Sequence, residues 1–472
     1  MKILITHSYF LRFDTKQWMQ RKPYPPLATL IAIACLKQQG HEVEFIDANF
    51  LESPEPVINR LSKSKPDLFV IYDDGFNYLT KMCLTNMREA AFEMLEQAQK
   101  LGVKALVSSS DSTDHSEDYL KHGASAVLLG EAEETLLEIT SGKEIAEVSG
   151  LVFKANLDFK NNGSRKVLTN LDDLPFPYWE ALDIAPYQDA WKKHGYFSIN
   201  IATTRGCPFK CNWCAKPIYG NRYNSHSPEY IVGLIQDIKS HFDFDHIWFC
   251  DDIFGLKPGW VQAFNKELRI VDLIIKYKIQ SRADLLVKDD TVKALAQSGC
   301  DEVWIGAESG SQKVLDAMDK GTSIEQIEDA TALMKACGIK PCFFLQFGYL
   351  GETYEDVLKT IKMLESLNPF DIGVSVSYPL PGTKFYEKVK HQLITKANWE
   401  DSDELLLMYD GEYSPKFYKK LHRYVHRKFR ALKAWEAISK NEGSLKQKLS
   451  FGLHKSLAAW EYSQMKRALK AS

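Results

Sequence analysis

Thr204-Arg205-Gly206-Cys207-Pro208-Phe209-Lys210-Cys211-Asn212-Trp213-Cys214 is the stretch on which the reading of this chain turns. Three cysteines at C-x3-C-x2-C spacing follow directly on Ser198–Thr203, a short apolar run that reads as a β-strand. Five more such runs come after it: His246–Cys250, Lys278–Arg282, Glu302–Gly306, Lys340–Phe347 and Asp371–Ser377. Helical patterns separate them, among them Pro228–His241, Trp260–Val271, Asp290–Ala296 and Thr353–Leu367. Six successive βα units predict a parallel barrel or partial barrel, whose site collects at the carboxyl ends of the strands.

Upstream, short apolar runs again alternate with amphipathic stretches. Ile3–Thr6, Val43–Asp47, Leu68–Tyr72, Ala105–Ser108 and Ala126–Leu129 read as buried parallel strands, with helices such as Leu27–Gln39 and Leu84–Leu101 between them. That rhythm predicts an α/β, doubly wound, Rossmann-like domain over 1–145. Residues 150–170 read as a hairpin turning at Asn161-Asn162-Gly163, and Asp172-Asp173-Leu174-Pro175-Phe176-Pro177 as an interdomain linker whose prolines stiffen the backbone. The expected domains are therefore 1–145, a hairpin and linker at 146–194, the barrel at 195–395 and a helical region at 396–472.

The bulk composition narrows the class. Hydrophobic residues make up 45% and charged residues 26%, which suits a folded rather than a disordered chain. A net charge of −3 asks for no polyanionic partner of the whole molecule. Met1-Lys2-Ile3-Leu4-Ile5 runs straight into a strand without a signal-peptide pattern, and no apolar run is long enough to span a bilayer. Nine cysteines, odd in number and scattered outside one cluster, fit thiols or a metal site in a reducing, cytoplasmic setting rather than a disulfide framework.

Thiolates hold iron–sulfur clusters, and a cubane has four irons. Cys207, Cys211 and Cys214 would hold three and leave one open to the amino and carboxylate groups of S-adenosylmethionine (SAM). Structural zinc is the competing reading, but it wants four closed ligands, and only His226 lies near enough in sequence to be weighed as the fourth.

With these residues on the page, the chain resembles the radical SAM superfamily, and within it the cobalamin-binding-domain subgroup that includes anaerobic magnesium-protoporphyrin monomethyl ester cyclase. The resemblance runs over about residues 1 to 410. It implies a [4Fe–4S] cluster on Cys207, Cys211 and Cys214, and cleavage of SAM to a 5′-deoxyadenosyl radical. It implies that Trp213 packs beside the SAM adenine and that Asp251-Asp252 lies near the SAM amino group. Arg282 ends the third strand, where it could pair with the SAM carboxylate. Glu308 and Ser309, in Gly306-Ala307-Glu308-Ser309-Gly310, match the family's G-x-E-S-G, and Glu308 could accept from the ribose hydroxyls. Gly348-Tyr349-Leu350-Gly351-Glu352-Thr353 and Tyr378-Pro379-Leu380-Pro381-Gly382-Thr383 follow the last two strands, the glycines shaping turns.

The first domain looks like the family's cobalamin-binding sheet through Tyr24-Pro25-Pro26-Leu27-Ala28, Gly40-His41-Glu42-Val43 and Gly130-Glu131-Ala132-Glu133-Glu134-Thr135. The resemblance places cobalamin against Ser108, Ser110, Thr113, Gly130 and Glu131. Two departures stand out. The D-x-H-x-x-G cobalt-ligating motif is absent, which makes the lone His7 a bystander. A glycine pair is replaced by Ser108-Ser109-Ser110-Asp111-Ser112-Thr113, where serines could hydrogen-bond the nucleotide tail but the Asp111 charge opposes its phosphate.

The expected partners are a small or lipid-like organic substrate and an external electron donor such as flavodoxin or ferredoxin. The reaction is methyl transfer or oxidative cyclisation at an unactivated carbon, with a non-catalytic corrinoid- or redox-sensing iron–sulfur protein as the alternative. From Pro415 the chain changes character: 15 Lys and Arg face three acids, a net charge of 15 − 3 = +12, with Phe417, Tyr418, Tyr424, Trp435 and Trp460 interleaved. That tail reads as a helical cap with solvated lysines or as a peripheral contact to an anionic membrane; no recognition motif for nucleic acid accompanies it.

Overall fold

The computed structural model describes residues 1–77, 83–156, 158–216, 218–288, 290–393, 407–440 and 444–470. Ile3, Leu4 and Ile5 are sealed from solvent, as are Phe69, Val70 and Ile71 and Ala105 and Val107. Consecutive residues buried on both sides of a strand require a parallel sheet with both faces covered. The first sheet has β1 (Lys2–Thr6), β2 (Glu42–Ile46), β3 (Leu68–Tyr72), β4 (Lys104–Ser108), β5 (Ala126–Leu128), β6 (Leu151–Ala155) and β7 (Asp158–Asn161). Its order is β2-β1-β3-β4-β5-β6-β7, parallel through β5 and antiparallel for the last two strands. The order reverses between β1 and β3, and such a switch point opens a crevice at the carboxyl ends of its strands. Helix Leu27–Gln38 is buried along ten consecutive residues, Leu27 to Leu36, so it is enclosed rather than amphipathic.

Two expectations change here. The hairpin of β6 and β7 turns between Ala155 and Asp158, with Asn156 at φ +59°; the Asn161-Asn162-Gly163 run lies at the far end of β7. Asparagine tolerates that left-handed conformation, so the single Asn outranked the more conspicuous Asn-Gly pair. The proline-bearing stretch at 172–177 is no free tether. Asp172 accepts from the backbone N–H of Ser227 at 3.0 Å and pairs with His226 at 3.1 Å, and the Tyr178 N–H donates to Leu30 O.

Next come β8 (Ser198–Ile201) and the two-residue strands β9 (Thr204–Arg205) and β10 (Asn224–Ser225). The last two pair antiparallel, so the chain that leaves at Arg205 returns at Asn224. β11 (His246–Phe249) and β12 (Tyr277–Ser281) continue parallel from β8, and β13 (Cys300–Glu308), β14 (Lys340–Phe347) and β15 (Asp371–Val376) are parallel to one another. The six strands stand in the order β15-β14-β13-β12-β11-β8, a partial parallel barrel. The chain divides into two compact units: one holds Met1–Pro208 and Lys216–Ile279, the other Phe209–Ala215 and the described residues from Gln280 onward. β12 therefore passes from one unit to the other.

In the second unit two long helices, Pro415–Ser439 and Leu445–Lys470, pack against each other, as the charge-rich tail predicted. The Gly310 turn after β13 sits against helix Tyr354–Leu367: a Cβ there would lie 2.5 Å from Lys359 O and 2.7 Å from its carbonyl carbon. Backbone on one side and helix on the other cannot move apart cheaply. Gly310→Ala is expected to cost about 1–3 kcal/mol, read as a fall in the denaturant midpoint with an unchanged slope.

Candidate active site

In the first unit, β8 ends at a buried carboxylate. Asp251 follows β11 and accepts four hydrogen bonds, from the backbone N–H and hydroxyl of Thr203 and of Thr204, at 2.7–2.9 Å. Burial pushes its carboxyl up to about 7 in spite of those donors. Three of these bonds fall on Oδ1 and one on Oδ2, and together they fix the backbone at Thr203 and Thr204, just before Cys207. The neighbouring Asp252 is exposed.

Arg205 is the next residue fixed. Its guanidinium is enclosed and donates to both oxygens of Glu133 at 2.6 and 3.2 Å, with Glu131 at 4.0 Å. Tyr219 and Phe76, stacked on each other, lie 5.3 and 5.8 Å from it. Burial works against the arginine's charge, but Glu133 more than offsets it and the charge is held. Gly206 then turns with φ +80°, and a Cβ there would meet Arg222 O at 2.3 Å. A glycine is obligatory at that turn. Neither Arg205 nor its partnership with Glu133 was assigned from sequence; nothing in a run of strand-end charges says which one is sealed inside.

At the carboxyl ends of the first sheet, the serine run forms a short helix, Ser110–Asp114, capped by Ser109 and Ser112 on each other's backbone N–H. Asp111 is bound by Arg88 at 2.7 and 2.5 Å and accepts from the Tyr119 hydroxyl at 2.8 Å. Its charge is thus matched within the protein, which removes the objection to a nearby phosphate. The hydroxyl of Thr113 is used on Ser109 O and Glu131 accepts from the Leu168 N–H, whereas the buried Ser110 hydroxyl finds no hydrogen-bond partner among the described residues. Ser108 is buried, and Gly130, at φ +67°, has only Ile218 O at 3.5 Å where a Cβ would stand. His7 is enclosed, bonded to Asp47 at 2.9 Å and to the Ala48 and Tyr9 N–H groups, a structural role that agrees with the sequence reading.

In the second unit, Phe209–Ala215 is pinned by Asn212. Its side-chain amide donates to Ala317 O at 2.6 Å, its carbonyl oxygen accepts from the Tyr349 hydroxyl at 2.6 Å, and its backbone bonds to Met318 O and the Phe385 N–H. Arg282 lies over the Phe209 ring at 3.7 Å. It donates to Asp284, to Lys320 O and to Gly321 O, and its remaining Nη1 stands 4.0 Å from Cys211 Sγ. Three of its hydrogen bonds thus go to Asp284 and to the Lys320–Gly321 backbone, while its guanidinium faces the cysteine loop through the Phe209 ring and Cys211.

Glu308 ends β13 at φ +54°, immediately after a bulge at Ala307 in the pairing with β14. The bulge re-aims the side chain, a device found beside active sites. Glu308 accepts from Lys320 Nζ at 2.8 Å, both side chains buried. Burial opposes the lysine's charge, while Glu308 and Cys211 raise its pKa above the ordinary value. Gly306 makes the room: a Cβ there would fall 2.5 Å from both partners. One Glu308 oxygen is therefore engaged, and Lys320 is a further site residue that sequence reasoning missed. The Ser309 hydroxyl bonds to Thr360 and takes the Ser311 N–H, tying the turn to helix Tyr354–Leu367. The half-buried Trp213 keeps a buried indole N–H that finds no acceptor among the described residues.

Zinc does not suit this set. His226 is turned to Asp172 and stacked on Tyr230 at 4.2 Å, with burial lowering its pKa to about 4. Arg282 and Lys320 place positive charge near Cys211.

Comparison with known proteins agrees. Residues 201–364 match the Radical SAM superfamily, so the chain carries a radical SAM domain. It is 29% identical over 280 residues to an uncharacterised methyltransferase of Pyrococcus horikoshii, covering 58% of this chain and 60% of the other. It is 25% identical over 279 residues to the anaerobic magnesium-protoporphyrin IX monomethyl ester cyclase of Rubrivivax gelatinosus, covering 56% and 49%. The chain thus spans between half and three-fifths of these two relatives. Its fold is that of the cobalamin-dependent SAM radical enzyme OxsB in its aqua-cobalamin complex, with a TM-score of 0.75 at 18% identity, covering 98% of this chain and 72% of that one.

The buried Arg205–Glu133 pair yields a test. Arg205→Met strands Glu133 and is expected to cost about 3–5 kcal/mol, while adding Glu133→Leu should restore most of it, measured as shifts in denaturant midpoint around a double-mutant cycle.

Proposed function

We propose that this chain is a radical SAM enzyme, dependent on cobalamin, that acts on an unactivated carbon of a small or lipid-like organic substrate. The observation that carries the proposal is the cysteine loop. Three thiols leave a strand fixed by Asp251, the loop around them is pinned by Asn212, and Arg282 and Lys320 supply positive charge beside Cys211. When bound, a [4Fe–4S] cluster with one open iron supplies the electron that cleaves SAM, and cobalamin supplies a methyl carrier or an electron store.

This chain's own residues then divide the work. Cys207, Cys211 and Cys214 hold the cluster. Asp252 accepts from the SAM ammonium, the second Glu308 oxygen takes a ribose hydroxyl, and Trp213 lies along the adenine with its unpaired indole N–H as donor. At the carboxyl ends of the first sheet, the unpartnered Ser110 hydroxyl and the open face of Gly130 receive the cobalamin, with Arg88 holding the Asp111 charge in check. Ser108 lines the same crevice. Electrons arrive from a flavodoxin- or ferredoxin-type donor. Methyl transfer and oxidative cyclisation share this machinery, and both names occur among the relatives.

Anaerobic reconstitution decides the matter. The wild-type protein should bind four iron per chain, show charge-transfer absorbance and release 5′-deoxyadenosine from SAM under reducing conditions. Cys211→Ala should lose both signals while keeping its corrinoid absorbance. Stoichiometric zinc in place of iron, or an intact cluster without 5′-deoxyadenosine, refutes the reading.

A further inference from the structure

The last helix, Leu445–Lys470, has two apolar faces. One, with Ala458, Met465 and Ala468, is buried. The other is open: Leu445 is 74% exposed, Leu449 67%, Leu453 57% and Trp460 51%. Their spacing of four, four and seven residues sets them in one stripe along the helix. Exposed Lys446, Lys448, Lys455, Lys466 and Arg467 lie along the same helix. Its single acid, Glu461, is buried and paired with Lys420 at 3.1 Å, so the open side carries no negative charge. Lys420 also sits over the Trp460 ring at 4.4 Å, which holds the indole in place.

We propose that this face docks peripherally on an anionic lipid bilayer. The stripe enters the interface and the lysines meet the headgroups. Charge complementarity chooses the occupant. A second copy of the chain would bring one basic face against another across a region of net charge +12. A nucleic acid would satisfy the lysines and leave the leucines in water. An anionic bilayer covers both. No helix among the described residues is long and apolar enough to cross a membrane, so the contact is lateral. The proposal stands independently of the chemistry at the cysteine loop.

Flotation of the full-length protein with vesicles tests it. Phosphatidylcholine vesicles containing phosphatidylglycerol should carry on the order of tenfold more protein than phosphatidylcholine alone, with the difference shrinking in high salt. Leu449→Glu/Leu453→Glu and Lys446→Glu/Lys448→Glu should each return binding to background without changing the thermal midpoint, since all four positions are exposed. Equal recovery on both vesicles overturns the proposal, as does no recovery on either. So does undiminished binding by the leucine variant, and so does a dimer in sedimentation velocity that the leucine variant abolishes.

Discussion

A guanidinium shut away from water is tolerable only inside its own counter-charge, and the first unit is organised around that requirement at Arg205. The residue lies two positions before Cys207, and its partner Glu133 opens the helix Glu133–Thr140 that follows β5. Neither can move without the other, because a lone buried charge costs several kcal/mol against a total stability of about 5–15 kcal/mol. The start of the cysteine loop and the loop proposed to receive cobalamin are therefore held in register by one bidentate contact. Asp251 does the same for the backbone just upstream, using neutral donors in place of a cation. Together they fix a strand end whose own β-pairing, two residues in β9, is too short to hold it.

The second unit meets a related demand with different groups. The segment Phe209–Ala215 has no helix or strand to hold it, so Asn212 ties it through its backbone to Met318 O and the Phe385 N–H and through its side chain to Ala317 O and the Tyr349 hydroxyl. Asp251, Arg282 and Ser309 each make hydrogen bonds that brace the surrounding protein. A site that must hold a reactive radical in place needs such a rigid footing.

The strands and most helices were legible from sequence because hydrophobic period and length decide them. Ser198–Thr203, Lys340–Phe347 and Pro228–His241 are found within a residue or two of their expected bounds. The cysteine spacing was legible because thiolate ligands are few and their order is local. What sequence could not assign was the pairing of charges distant in the chain. Asp251 and Asp252 are neighbours with opposite fates, one sealed against two threonines and one exposed, and no pattern in the chain separates them. Lys320 lay outside every motif and reaches the site only because the chain after β13 folds back. The Asn156 turn was missed for a related reason: a conspicuous Asn-Gly pair nearby drew the assignment.

The hole left by the missing side chain at Gly306 binds the fates of three positions. The Glu308–Lys320 pair occupies the volume that any larger residue would claim, so a methyl group there displaces that salt link. Drift at one of these places without the others is penalised twice, once in crowding and once in stranded charge. Across homologous chains, positions 306, 308 and 320 are expected to vary as a set, and a homologue with alanine at the first should carry neither the acid nor the amine.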